Sequence, residues 1–548
     1  MKLRVFIHEH PHVFHISLAS FLAINALSMT PSALPLTMTL AILLLYAPRL
    51  FNRDYGYTAL LWLSVSLFGS IGRVAPALSA LSTSGTSIAV VLVAASITSA
   101  LAIAGVAIDF FACKKWGSAY QIVVFPAIWS SLWISSSFVL PLGRLPSWSP
   151  VLGVQGYDWM LPWVGPGGID WVVGAWAVVI SQAIGSWFMG NPDEDDSVRS
   201  QPTGRTVLAV ILAALTIPSF LSSGLPLPVS PSGSITPLEV GCALPPFWRT
   251  NHTTPTVEDY ITHSRTLTSA KIVLWPEGAV SFRNASEKEA GLLDIATKIG
   301  AQYTYWAVSF EEDINDVRHT GVALLSRHSD GPRVEMEYLK RHLVPVAESS
   351  YLTPGTQPPP LYSFPLSPPN HYKGEWAENK TRPISLTSSI CLDFAMPSPF
   401  QDLTSKPALI LAPARTWDPA IGRRMWEEVK QRANEIGSIA LWCDGGKGGV
   451  SGVAGGGYND VYQVSEGSWS LTIGIRYPFD STRTLYARFG DSLVLLASWV
   501  FVIGPSIIWR FGPVAHRAHV LAGVFGVQIL EKIGVRRGRS ENLIDFES

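Results

Sequence analysis

Residues 271–282 read KIVLWPEGAVSF. The run Ile272-Val273-Leu274-Trp275 is apolar, β-branched and aromatic, and it reads as a buried strand. Pro276 ends it, because proline brings no N–H to a sheet ladder. Glu277 comes next, so a stiff strand end carries a carboxylate to the rim of a core. A solvated strand end is one reading of that residue. A carboxylate held still for chemistry is the other, and the choice depends on what else reaches the same rim.

Composition narrows the setting. The chain has 548 residues, of which only 15% are charged, against about 25% in soluble domains. Mean hydropathy is +0.25, and Trp, a residue of membrane interfaces, occurs 20 times. A net charge of -1 gives no basis for nucleic-acid binding. The four cysteines, Cys113, Cys242, Cys391 and Cys443, are too few and too scattered for a disulfide framework. No pair of them has zinc-ligand spacing, and no metal or other cofactor is expected.

The chain divides by texture. Apolar segments at 13–30, 33–49, 57–72, 86–112, 119–143, 169–190 and 206–221 read as seven spans within a membrane domain, 1–225. The first reads as an uncleaved anchor. SSGLPLPVSPSGSITPLE then forms a linker, and 236–488 reads as a mixed α/β domain. One further span, 491–510, leads into a tail, 511–548, in which 519–533 is suited to the membrane surface. With the N-terminus in the cytoplasm, that side carries Lys2, Arg4, Arg49, Arg53, Lys114, Lys115, Arg199, Arg205, Arg510 and Arg517. The opposite side carries Arg73 and Arg144. This asymmetry makes the chain a multi-pass membrane protein with its α/β domain outside the cytoplasm. Asn251, Asn284 and Asn379 head N-x-S/T triplets, all in that domain.

Two more reactive groups stand beside apolar runs there. YLKRHLVPVAES places Lys340 just before His-Leu-Val-Pro and Glu348 after it, and PISLTSSICLDFAMP delivers Cys391 to the end of a β-rich run. Strand ends are where α/β sheets present chemistry. A thiol is a nucleophile only as thiolate. A neighbouring carboxylate can take its proton, and an ammonium can stabilise an oxyanion.

WPE, K-x-HLVP-x-x-E and ICLDFAMP resemble the Glu-Lys-Cys triad of the nitrilase (carbon-nitrogen hydrolase) superfamily. The YLKRHLVP wording, the eight spans and TLYARFGDS at 484–492 resemble one branch, apolipoprotein N-acyltransferase, as does the loop 149–174. The resemblance implies an αββα sandwich over 236–488, with Glu277, Lys340 and Cys391 catalytic and Glu348, Asp393 and Trp417 supporting. It implies transfer of an acyl chain from a phospholipid donor to an amine acceptor, such as a lipoprotein N-terminus, through a Cys thioester. Two stretches depart from the branch. Leu392-Asp393 stands where Tyr-Glu is common, and ARTWDPA, 414–420, keeps Trp417 but lacks the Asn. An amidase with water as acceptor, or an inactive membrane scaffold, are the alternatives.

Other motifs read more plainly. Cys242 and Cys443 read as core strand residues, with a disulfide between them left open, and Cys113 as inert. DGGKGGVSGVAGGG, 444–457, lacks phosphate-loop spacing and reads as a flexible turn region. His342 reads as a packed or solvated side chain, HEHPHVFH at the terminus as disordered, and the Pro-rich stretch 351–370 as a lid.

Overall fold

The computed structural model describes residues 2–504 apart from 54, 79, 82, 117–119, 190–202, 222–223, 247–253, 301–303, 370–371, 373, 375 and 378–379. Asn251, Asn379, Arg199, Arg510, Arg517, the end of the last span and the tail 511–548 lie outside the described residues.

The N-terminal helices are α1 (Lys2–Glu9), α2 (Pro11–Ala26), α3 (Ala33–Arg53), α4 (Tyr55–Leu78), α5 (Ser84–Trp116), α6 (Gln121–Val139), α7 (Leu161–Met189), α8 (Thr203–Ala214) and α9 (Ile217–Leu221). Among the described residues, six helices can cross a membrane by length and composition: Ala33–Asn52, Tyr55–Leu78, Ser84–Lys115, Gln121–Val139, Gln155–Trp187 and Gly204–Leu221. Leu60, Leu63, Leu67 and Ile71 recur along α4 at helical spacing and are 48%, 56%, 56% and 51% exposed. Such an uncovered apolar stripe fits lipid better than water.

Two expectations change here. The first apolar run forms only the 16-residue α2, short of the roughly 20 residues a span needs. The terminal HEHPHVFH stretch is helical rather than disordered. Pro11 opens α2, His15 Nδ1 bonds the Pro11 carbonyl at 2.7 Å, and the His12 and His15 rings stack on Tyr57 and Tyr46. At the other end an apolar helix, Ser492–Gly504, stands where the final span was expected.

The α/β region begins with β1 (Ile235–Cys242), α10 (Val257–Thr266), β2 (Ile272–Leu274), β3 (Val280–Phe282) and α11 (Ala285–Ile299). Then come β4 (Tyr305–Ile314), β5 (Val317–His328), β6 (Gly331–Leu339), β7 (Tyr362–Leu366), β8 (Arg382–Ser388) and β9 (Leu409–Ala414). It ends with α12 (Pro419–Ile436), β10 (Ile439–Asp444), β11 (Val450–Gly455), β12 (Tyr458–Val464), β13 (Trp469–Arg476) and α13 (Leu485–Phe489). One sheet runs β13-β1-β2-β4-β5-β6, with β3 also on β4; the other runs β12-β11-β10-β9-β8-β7. Both are mixed: β1, β2 and β4 are parallel, as are β8, β9 and β10.

Period-two alternation explains the layering. Ile272 and Leu274 join the core shared with Leu386, Leu409 and Leu441 of the second sheet. Val273 and Trp275 point the other way, onto Tyr260 of α10 and Leu292 and Ile295 of α11. Met425, Trp426 and Val429 of α12 cover the second sheet. Helices thus lie on the outer faces of two mixed sheets that share one core, a mixed α/β fold. Glycine-rich 444–457 contains the buried strand β11, paired with β10, rather than a flexible turn throughout. The Pro-rich stretch 351–370 contributes edge strand β7, where prolines are tolerated.

Cys242 and Cys443 are both fully buried in strands, as read, and they are also joined in a disulfide, Cα–Cα 5.6 Å. Because β1 and β10 belong to different sheets, this bond ties the two layers together.

Candidate active site

The carboxyl ends of β2, β6 and β8 meet at one rim. After β2, the Trp275 N–H bonds the Ala307 carbonyl at 2.9 Å and the indole N–H bonds Ser264 Oγ at 2.8 Å, fixing the chain before Pro276. The Glu277 N–H then donates to the Ala414 carbonyl at the end of β9, 3.3 Å away in the other sheet. Glu277 is 7% exposed, so it is not a solvated strand end.

Lys340 leaves β6 with its N–H on the Thr320 carbonyl at 2.8 Å. Its Nζ donates to Glu277 Oε1 at 2.7 Å and to both oxygens of Glu348 at 2.8 Å. Glu348 Oε2 also accepts the Val344 N–H at 2.9 Å. The turn between them holds Val346 at φ 66°, a left-handed conformation that a β-branched residue adopts only when its surroundings impose it.

Cys391 follows β8 in a short 3-10 turn, Cys391–Ala395. It is buried and unpaired as a thiol, and its φ is 44°. Strain of that kind concentrates at functional sites. Ser388 Oγ and the Ser389 N–H both bond the Leu411 carbonyl at 3.0 Å, holding the strand end that presents it.

One ammonium therefore faces two carboxylates and a thiol. Burial, reinforced by Glu348, pushes the Glu277 carboxyl up to about 7 against the pull of Lys340. Burial alone would lower Lys340, but Glu277, Cys391 and Glu348 outweigh it and hold the ammonium well above its ordinary value. Burial and the Glu277 charge push the Cys391 thiol well up. The resting group is thus a thiol, a lysine cation and a carboxyl poised to trade a proton near neutrality.

The supporting residues separate. Asp393 is fully buried and accepts from Tyr338 Oη at 2.7 Å, the Ile390 N–H at 3.1 Å and the His342 N–H at 2.9 Å. The His342 ring Nδ1 lies 2.8 Å from it as well. Asp393 thus braces the Cys391 turn against the chain carrying Lys340, and His342 is part of that brace. Trp417 is turned elsewhere: its indole N–H bonds the Pro76 carbonyl of α4 at 3.2 Å. Asn284 is exposed and caps α11, its Oδ1 accepting the Glu287 N–H at 2.8 Å. Among the described residues no group of His, Cys, Asp and Glu is arranged to hold a metal.

Sequence reasoning missed what supports the Cys391 turn from behind. Arg144 donates its N–H to the Ala395 carbonyl at 3.0 Å and its guanidinium to Asp170 at 2.9 Å. Gly143 allows this approach: its φ is 55°, and a Cβ there would lie 2.4 Å from the Ala395 oxygen. Arg432 of α12 donates to the Phe394 carbonyl at 2.8 Å. Arg73 and Arg144, the two exceptions to the charge asymmetry, are both engaged inside the protein, Arg73 with the Leu27 carbonyl at 2.8 Å.

No protein-family model matches the sequence, and no curated protein matches it. Solved structures do. A cysteine-to-serine variant of the Nesterenkonia AN1 amidase, from the nitrilase superfamily, is 18% identical, with TM-score 0.34, covering 48% of this chain and 97% of its own. Nit3 of Saccharomyces cerevisiae, of the same superfamily, is 14% identical with TM-score 0.29, covering 43% and 90%.

Proposed function

We propose that the protein is a membrane N-acyltransferase that moves an acyl chain from a phospholipid to an amine through a thioester on Cys391. The observation that carries this reading is the Glu277–Lys340–Glu348 cluster beside a buried cysteine at positive φ, in a chain whose described residues include six helices apolar enough to cross a membrane. A lipid substrate accounts for the apolar helices; a small soluble amide leaves them without a role.

The residues serve two half-reactions. The Cys391 thiol gives its proton to Glu277 as sulfur attacks the ester carbonyl. Lys340 Nζ holds the oxyanion. As the C–O bond breaks, the leaving lysophospholipid oxygen takes the proton from Glu277. The amine then attacks the thioester, an N–H proton passes to Glu277, the C–S bond breaks, and Glu277 returns the proton to sulfur. Glu348 keeps Lys340 aimed, and the 351–370 segment shields the intermediate from water. The sandwich faces away from the cytoplasm, on the side opposite the Lys/Arg-rich helix ends.

Reconstitution in vesicles with acyl-labelled phospholipid tests this reading, with a peptide bearing a free N-terminus as acceptor. Labelled amide rising with peptide supports transfer. Labelled fatty acid alone, at the same rate with or without peptide, makes water the acceptor and overturns transfer. Neither product, but ammonia released from added small amides, favours the amidase alternative; no product, no ammonia and no adduct on Cys391 leaves the inactive scaffold.

A further inference from the structure

We propose that the Cys242–Cys443 disulfide is a maturation clamp that sets the position of Glu277, so that the catalytic rim is completed only by oxidation. Three observations converge on that junction. Cys242, the last residue of β1, is in register with Leu274 of β2, three residues before Glu277. On the other sheet Cys443 is in register with Pro413, one residue before Ala414. The Ala414 carbonyl accepts both the Glu277 N–H at 3.3 Å and the Gly445 N–H at 3.0 Å, so one oxygen joins the residue after β10 to the Glu277 backbone of the other sheet. Gly445 also packs so closely on Pro276 that a Cβ there would lie 2.6 Å from the proline ring.

The sulfur bond is the covalent link between the two sheets, beside that long hydrogen bond, the Pro276–Gly445 contact, the shared apolar core and the Asp393 brace. The crosslink closes 201 residues of sequence, and it fixes the gap between the sheet bearing Glu277 and Lys340 and the sheet bearing Cys391. Formation is a thiol–disulfide exchange. The Cys242 and Cys443 thiols lose two hydrogens and two electrons to the disulfide of a dithiol oxidoreductase or oxidised glutathione, which is reduced to two thiols. Cys391 remains a free thiol, apart from the joined pair Cys242–Cys443. Disulfides persist in oxidising compartments and are rare in the cytosol. The clamp therefore places the sandwich away from cytosolic thiols on grounds independent of the Lys/Arg count.

Full-length protein in cells quenched with acid, denatured and alkylated with N-ethylmaleimide without reductant is the direct test. The expected result is one joined peptide containing Cys242 and Cys443, with maleimide on Cys113 and Cys391. Maleimide on Cys242 and Cys443 overturns the proposal. In the second arm, purified protein is treated with a phosphine reductant and compared with the Cys242→Ala/Cys443→Ala variant. Both should form the Cys391 adduct about tenfold or more slowly, since an ångström of misplacement costs on the order of a hundredfold. The pH midpoint of adduct formation, which Glu277 sets, should shift as well. An unchanged rate and midpoint in folded, reduced protein overturns the clamp without touching the acyl-transfer reading, because the adduct still forms.

Discussion

Two clusters of buried charge bear on the Cys391 turn, and they differ in a way that separates chemistry from architecture. Behind the turn, Arg144 pairs with Asp170 at 2.9 Å, Arg424 with Glu428 at 2.6 Å and Arg432 with Glu435 at 2.6 Å. Each cation there is an arginine, which keeps its proton, and each has a partner. In front of the turn, one lysine serves Glu277 and Glu348 together, and the neighbouring thiol sits on strained backbone. Behind the turn the arginine pairs, with Asp491 buried beside them, form a joint between elements. Burial lifts a carboxyl in both clusters, Glu435 behind and Glu277 in front, but only Glu277 stands beside a thiol.

Breaking the front cluster should cost chemistry first. Cys391→Ala should form no acyl adduct while keeping its thermal transition, measured by mass spectrometry and calorimetry on the same sample. Glu277→Gln leaves no base for the thiol and should slow adduct formation by about 10²- to 10⁴-fold. Lys340→Ala should slow it by about 10²-fold or more. It should also destabilise the domain, because buried Glu277 and half-buried Glu348 lose their cation. If the Lys340 variant is as fast as the parent, the oxyanion is held elsewhere.

Breaking the rear cluster should cost stability instead. Arg144→Ala leaves Asp170 buried without its guanidinium, a loss of about 3–5 kcal/mol by denaturant titration. The adduct rate per folded molecule should stay near that of the parent. A rate loss as large as that of Lys340→Ala would show that the two clusters act as one.

The smallest effect expected is with pH. Burial lifts Glu277 from its ordinary 4.5 to about 7, and it lifts Glu435 from 4.5 to about 7 against the pull of Arg432. In both, the folded state binds the proton more tightly than the unfolded chain. Each contribution is fully present below about 4.5 and is lost as pH rises through about 7. Adduct formation needs the Glu277 carboxylate as base and should rise with a midpoint near 7, while melting temperature falls over the same range. Glu435→Gln should remove part of the stability change and leave the rate midpoint in place.

What the sequence discloses follows from how local each signal is. Glu277, Lys340 and Cys391 each stand beside an apolar run, so their elements and their rim are legible from short windows. Cys242–Cys443 is not, because the pairing depends on how two sheets stack across 201 residues of sequence. Arg144 reads as a loop charge for the same reason; its partners Asp170 and the Ala395 carbonyl come from distant segments. Strand β11 is hidden by glycines, whose low strand preference is overridden by pairing with β10 and β12. The terminal histidines look like solvated polar residues until Tyr46 and Tyr57 supply faces to stack on.

The account rests on Cys391 as the carrier of the acyl group. Purified protein should be incubated with phospholipid and no amine, digested, and examined by mass spectrometry with and without hydroxylamine. The expected result is one acyl mass on the peptide containing Cys391, removed by hydroxylamine and missing in Cys391→Ala. An acyl mass that persists in Cys391→Ala, or that sits on another residue, would contradict it.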